Sequence, residues 1–124
     1  MRRLFAPRAC PRLRPGEAAI QSAVMAHWRV LGEPDTLVAC IPNQNPHGQP
    51  GLTPGLPDLI VIGPRVPGSC RVGFIELKRD LKAPLSPAQG EFAQLCRKLG
   101  VPHRVTRGRD EPIAVLRDWG IVRG

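Results

Sequence analysis

Two apolar runs constrain this chain more than any other feature. Residues 58–62 read Asp-Leu-Ile-Val-Ile and residues 71–78 read Arg-Val-Gly-Phe-Ile-Glu-Leu-Lys, with a Pro67-Gly68 turn between them. β-Branched and aromatic residues bounded by Gly and Pro predict strands, and the short connection predicts that the two form a hairpin. Apolar residues occupy successive as well as alternate positions, so both faces of these strands are expected to be covered. A chain that buries a hairpin on both sides needs helices to do it.

The helices are legible by period. Ile20, Val24, Trp28 and Leu31 recur at three- and four-residue steps, predicting a helix over 16–31 that Gly32 and Pro34 stop. Phe92, Leu95, Cys96 and Leu99 do the same for 86–99, with Gly100 as the cap, and 110–119 reads as a last short helix closed by Gly120. Strands are expected at 36–41 and 101–106. The order is then α-β-β-β-α-β-α, with the final strand parallel to a neighbour because it returns through a helix. The expected fold class is α/β: a mixed sheet of about four strands flanked by helices. Residues 42–57 read as a Gly- and Pro-rich loop, long enough to invite a functional role.

At 124 residues the chain has room for one domain, expected over 16–124. Its longest apolar run is a few residues, too short to cross a bilayer. The net charge of +8 rests on fifteen arginines against three lysines. Arginine is the better phosphate partner, so a polyanion such as nucleic acid is the expected ligand. Residues 1–15 carry Arg2, Arg3, Arg8, Arg12 and Arg14 with no acid. They read as a basic arm, either a solvated tail or a phosphate-binding segment. Cys10, Cys40, Cys70 and Cys96 form no metal clip and accompany no secretion signal, so a reduced, cytosolic protein is expected.

The chemistry is expected where charge interrupts the apolar strands. Pro57-Asp58 is followed after seventeen residues by Glu76-Leu77-Lys78. Side chains alternate along a strand, so Glu76 and Lys78 share a face with Phe74 while Leu77 points the other way. Asp58, at the start of the partner strand, can reach the same spot. Two close carboxylates repel, and a divalent cation relieves that repulsion; hard oxygen donors suit Mg2+ or Mn2+. Such an ion acidifies a bound water and polarises a phosphoryl oxygen, and Lys78 beside it can orient the water. The alternative is ordinary: Asp58 caps a turn and the E-x-K is a solvated pair on an edge strand. The strongly apolar strand around it favours the catalytic reading.

Glu17 falls on the buried stripe of the first helix, though an acid in a first turn also suits the helix dipole. Gln89 falls on the inward stripe of the second. Ser86-Pro87-Ala88-Gln89 also fits a capping box, so capping and site duty both stay open for Gln89. In the long loop, Asn43, Gln44, Asn45, His47 and Gln49 are candidates to touch DNA or merely solvent. Arg79, Lys82, Arg104, Arg107 and Arg109 are candidates to line a phosphate track. His27 and His103 read as structural.

Seven stretches together resemble a known family: GEAAIQ at 16–21, IPNQNP at 41–46, PGLPDLIVIG at 54–63, FIELKRD at 74–80, SPAQ at 86–89, LGVPHRV at 99–105 and LRDWGI at 116–121. They are similar to a stand-alone VRR-NUC domain, the virus-type replication-repair nuclease branch of the PD-(D/E)XK superfamily. The resemblance implies a restriction-endonuclease-like fold and carries over Glu17, Asp58, Glu76, Lys78 and Gln89 as site residues. It adds the Leu77 backbone carbonyl as a metal ligand and Glu17 as one acting through water. It also implies a homodimeric, Mg2+-dependent endonuclease for branched DNA such as the Holliday junction. Two rivals stay in view, a non-catalytic DNA-binding module of the same fold and a restriction-type nuclease.

Overall fold

The computed structural model describes residues 15–42 and 53–124. Most of the basic arm therefore lies outside the described residues, as do Asn43, Gln44, Asn45, His47 and Gln49. The elements run α1 (Pro15–Leu31), β1 (Leu37–Cys40), β2 (Leu59–Ile62), β3 (Val72–Lys78), α2 (Pro87–Leu99), β4 (His103–Arg107) and α3 (Asp110–Asp118). That is the predicted order, with ends displaced by one or two residues.

The four strands form one sheet in the order β1-β2-β3-β4. β1 pairs antiparallel with β2 and β2 antiparallel with β3, as the hairpin required. β4 lies parallel to β3 after the α2 crossover. One face of the sheet carries Val38, Leu59, Val61, Ile75 and Leu77, all buried. Against it pack Ile20, Val24, Met25 and Trp28 of α1 and Val115 and Leu116 of α3, with Trp119 just beyond. Gly73 of β3 is where Trp119 comes closest: a Cβ there would stand 2.6 Å from the indole ring. Any side chain at that position would push the tryptophan off the sheet. Trp28 keeps its indole N–H satisfied in the same core, donating to Thr36 Oγ1 at 3.0 Å.

The other face is covered less completely. α2 stands over β3 and β4, where Phe92 meets Phe74 edge-on at 5.3 Å and His103 at 5.7 Å. The inward stripe of α2 is Gln89, Phe92 and Cys96. Leu95 and Leu99, expected on that stripe, are instead 52% and 66% exposed. Leu95 lies about 100° around the helix from Cys96, and Leu99 sits in the last turn. On the β1–β2 side the same sheet face leaves Leu37 and Ile62 exposed. No helix among the described residues is long and apolar enough to cross a membrane.

Candidate active site

Glu76 and Lys78 are the last two outward residues of β3, on the α2 face, and both are buried. The register Leu59↔Ile75 places Asp58 across from Glu76, one step beyond the end of β2. Asp58 therefore precedes the strand instead of opening it, although its carbonyl still accepts from the Ile41 N–H at 2.8 Å. The strands part at this point. Asp58 turns its Oδ2 to the Leu77 N–H, which donates at 2.7 Å. Along a strand the N–H and C=O of one residue face the same edge, so the Leu77 carbonyl also leaves β3 on the Asp58 side.

Gln89 ties the cluster together from α2. Its Oε1 accepts from Lys78 Nζ at 2.9 Å and its Nε2 donates to Glu76 Oε2 at 3.2 Å. Lys78 Nζ stands 3.9 Å from the same Glu76 oxygen. Glu17, on the first turn of α1 and 8% exposed, is near enough to add its charge to the group. The consequence falls on Glu76. Burial, then a hydrogen bond with Asp58, then repulsion from Asp58 and Glu17 push its carboxyl from 4.5 up to about 10, against the pull of Lys78. Without a counter-cation, burial and the neighbouring carboxylates favour the protonated form of Glu76.

That behaviour is the test of whether a divalent cation suits the site. Among the described residues no group of three or more His, Cys, Asp or Glu side chains has the arrangement to hold a metal ion by itself. Magnesium does not require one. It is held by one or two carboxylates and keeps several waters. Asp58, Glu76 and the Leu77 carbonyl supply hard oxygens, and the raised pKa of Glu76 marks a position where a cation would relieve the repulsion.

Comparison with known proteins agrees with the geometry. No family model matches the chain, and no curated protein does. Among solved structures, a "VRR_NUC domain protein" superposes with a TM-score of 0.70 at 26% identity, covering 86% of this chain and 89% of its own. This chain folds as a VRR-NUC domain. A second structure, "VRR_NUC domain", superposes at 0.59 with 24% identity over 85% of this chain and 97% of the other, and supports the fold. The α/β architecture read from the sequence, three helices on a four-stranded mixed sheet, is thus the VRR-NUC nuclease fold.

Capping and contact with the Lys78–Glu76 pair do not compete for Gln89. Ser86 Oγ accepts from the Gln89 N–H at 3.1 Å, and Gln89 Oε1 accepts from the Ser86 N–H at 2.8 Å while it also holds Lys78. The capping box fixes the amide so that its oxygen meets the lysine and its nitrogen meets the carboxylate. Ser86→Ala and Gln89→Ala should therefore separate the two jobs. The first removes one cap bond, costs about 1 kcal/mol and leaves any cleavage rate nearly intact. The second frees Lys78 and should slow cleavage about tenfold or more. Equal rates for the two variants, measured alongside thermal melts, would reduce Gln89 to a cap.

The arginines assigned to a phosphate track are less uniform than the sequence implied. Arg107 Nη1 is engaged with the carbonyls of Asp80, at 3.0 Å, and Ala83, at 2.5 Å, so that arm of the guanidinium clamps the β3–α2 loop. Arg109 lines an open groove of about 600 Å3 between α1 and α3, with His27, Val30 and Ile113. Asp110 also lines that groove, whereas Glu17, Asp58 and Glu76 do not. Arg79 and Lys82 remain exposed beside the end of β3, and Arg104 faces Asp118 at 4.0 Å. His103 is half-buried, and burial with nearby Arg97 lowers its pKa, in keeping with a structural role. Cys96 is buried and its thiol pKa is raised by burial. Gln21 was missed: it is fully buried on α1, one turn after Glu17. Its position four after Glu17 and four before Met25 was the available signal.

Proposed function

We propose that this chain is a metal-dependent DNA endonuclease that hydrolyses phosphodiester bonds, selective for branched DNA such as a four-way junction. The observation that carries it is the convergence of buried Asp58, Glu76 and Lys78, held in register by Gln89. A polar group placed under an apolar sheet face is costly. Four of them meeting at the end of one strand have a reason to be there.

In this reading Asp58 and Glu76 would hold Mg2+ or Mn2+ with the Leu77 carbonyl, and Glu17 would contribute through water. A divalent ion held there supplies Lewis acidity and a bound water of lowered pKa. Lys78, its ammonium fixed by Gln89 Oε1, donates a hydrogen bond to the attacking water or to the charge that develops on the phosphate. Arg79 and Lys82 meet the backbone to either side, and Asn43 and Arg109 are further candidates for DNA contact. A homodimer would present two such centres, matching the two-fold symmetry of a four-way junction.

Nicking of supercoiled plasmid is the direct test. Mg2+-dependent conversion to open circle, abolished by EDTA, is expected; intact plasmid in both Mg2+ and Mn2+, with DNA still bound, would favour the non-catalytic module.

A further inference from the structure

Leu81 has the most exposed large hydrophobic side chain among the described residues, at 81%. A single exposed leucine is ordinary on a protein surface. This one differs in how it is mounted. It sits at the tip of the β3–α2 loop, and the backbone on both of its flanks is pinned. Asp80 Oδ1 accepts from the Lys82 N–H at 2.9 Å and the Ala83 N–H at 3.0 Å. From below, Arg107 donates to the carbonyls of Asp80 and Ala83. Arg107 is itself the register partner of Lys78, and the Gly108 N–H donates to the Lys78 carbonyl at 2.9 Å. The loop is therefore anchored to the same strand ends that carry the site, and its tip cannot fold down to bury the leucine.

Its neighbours fit a nucleic-acid surface. Arg79 and Lys82 are exposed on either side of it, with Arg79 Nε 3.5 Å from the Asp80 carboxylate. Leu81 lies three residue steps beyond Lys78, a reach of at most about 11 Å. That is about three base steps of a duplex at about 3.4 Å each. An apolar side chain on a pinned turn, with Lys82 on one side and the Arg79–Asp80 ion pair on the other, within three base steps of a cleavage centre, is placed to enter a base stack while Lys82 and Arg79 meet the phosphates.

We infer that Leu81 is a wedge that inserts between bases next to the scissile phosphate and selects DNA whose stacking is already interrupted. Apolar side chains on other DNA-binding surfaces unstack base steps in this way, and the insertion is easiest where pairing is broken or branched. The inference rests on the DNA-cleaving reading above and adds a source for its preference for branches. The loop device then has a clear division of labour. Arg107 and Asp80 set the tip, Leu81 enters the stack, and Asp58, Glu76 and Lys78 stand at a fixed distance behind it.

The test uses junction DNA carrying 2-aminopurine two nucleotides from the branch, bound by the full chain in EDTA, where fluorescence reports unstacking without cleavage. Wild type and Leu81→Met should raise the signal at saturation, and Leu81→Ala should lose most of that rise. In Mg2+, Leu81→Ala should cut the junction about tenfold more slowly, with an unchanged melting temperature and an unchanged salt dependence of binding, since no charge is altered. An equal rise with Leu81→Ala, a flat signal with bound wild type, or no DNA binding at all would overturn the wedge. The two readings fail separately. Unstacking that depends on Leu81 without Mg2+-dependent cutting would sink the nuclease and keep the wedge; cutting indifferent to Leu81 would do the reverse.

Discussion

Asp58→Asn is expected to abolish cleavage, by about three orders of magnitude or more, while DNA binding stays intact or tightens. Asparagine has the shape of aspartate and can still accept the Leu77 N–H through its side-chain oxygen, so the strand ends keep their geometry. What it removes is a negative charge from a cation site that also faces the phosphate backbone. No basic residue is touched, and the electrostatic part of DNA affinity comes from those. Single-turnover cleavage in Mg2+ and a binding isotherm on the same branched substrate give the two numbers. Loss of binding in step with cleavage would contradict the role assigned to Asp58.

Glu76→Gln should stabilise the metal-free protein and destroy its response to magnesium. The sign follows from the Glu76 carboxyl, pushed from 4.5 up to about 10 by burial, by its hydrogen bond with Asp58 and by repulsion. Below pH 4.5 the folded and unfolded states both hold the proton, so nothing is lost. Between 4.5 and 10 only the folded state holds it, and stability falls by about 1.4 kcal/mol for each unit of pH. At pH 8 the accumulated cost is on the order of a few kcal/mol. Glutamine mimics the protonated acid and carries no such cost. In EDTA at pH 8 the variant should melt about 10 °C higher, and the gap should close as pH falls toward 4.5. Magnesium has to displace the retained proton, so wild-type metal affinity should climb with pH, by up to about tenfold per unit. A variant that melts lower than wild type at pH 8, or that still gains stability from Mg2+, would contradict a buried, repelled Glu76 carboxyl that a cation relieves.

These two expectations trace to residues whose grouping was legible before any coordinates. Asp58, Glu76 and Lys78 could be read because strand periodicity fixes which side chains share a face, and because a hairpin brings residues of opposite strands together. The parallel placement of β4 was legible for a similar reason, since a helical crossover leaves little choice. What escaped depends on contacts that period does not encode. Leu95 and Leu99 repeat with helical spacing, yet α2 covers only the β3–β4 side of the sheet, so its buried stripe is narrower than its apolar one. Arg107 looked like any other arginine near a basic surface; its role in holding the Asp80–Ala83 turn comes from carbonyls more than twenty residues away in sequence. Gln89 seemed to face a choice between cap and site because a sequence shows one residue at a time. The structure gives one amide oxygen two donors, the Ser86 N–H and the Lys78 ammonium.

Exposure of the Glu76–Lys78 charges to solvent would have favoured the ordinary reading of an edge-strand ion pair, worth little to stability or function. Their burial, at 2% and 7% exposure, removes that reading and leaves a cation site or an unexplained cost.

The measurement that bears most directly on the whole account is cleavage of labelled four-way junction, flap and continuous duplex DNA, in Mg2+ or EDTA, by wild type and Lys78→Ala. Magnesium-dependent cutting that favours the junction and falls sharply without Lys78 is the result predicted here. Binding of all three substrates with no cutting by wild type in Mg2+ or Mn2+ would contradict it, and would leave the Asp58–Glu76–Lys78 cluster without the chemistry assigned to it.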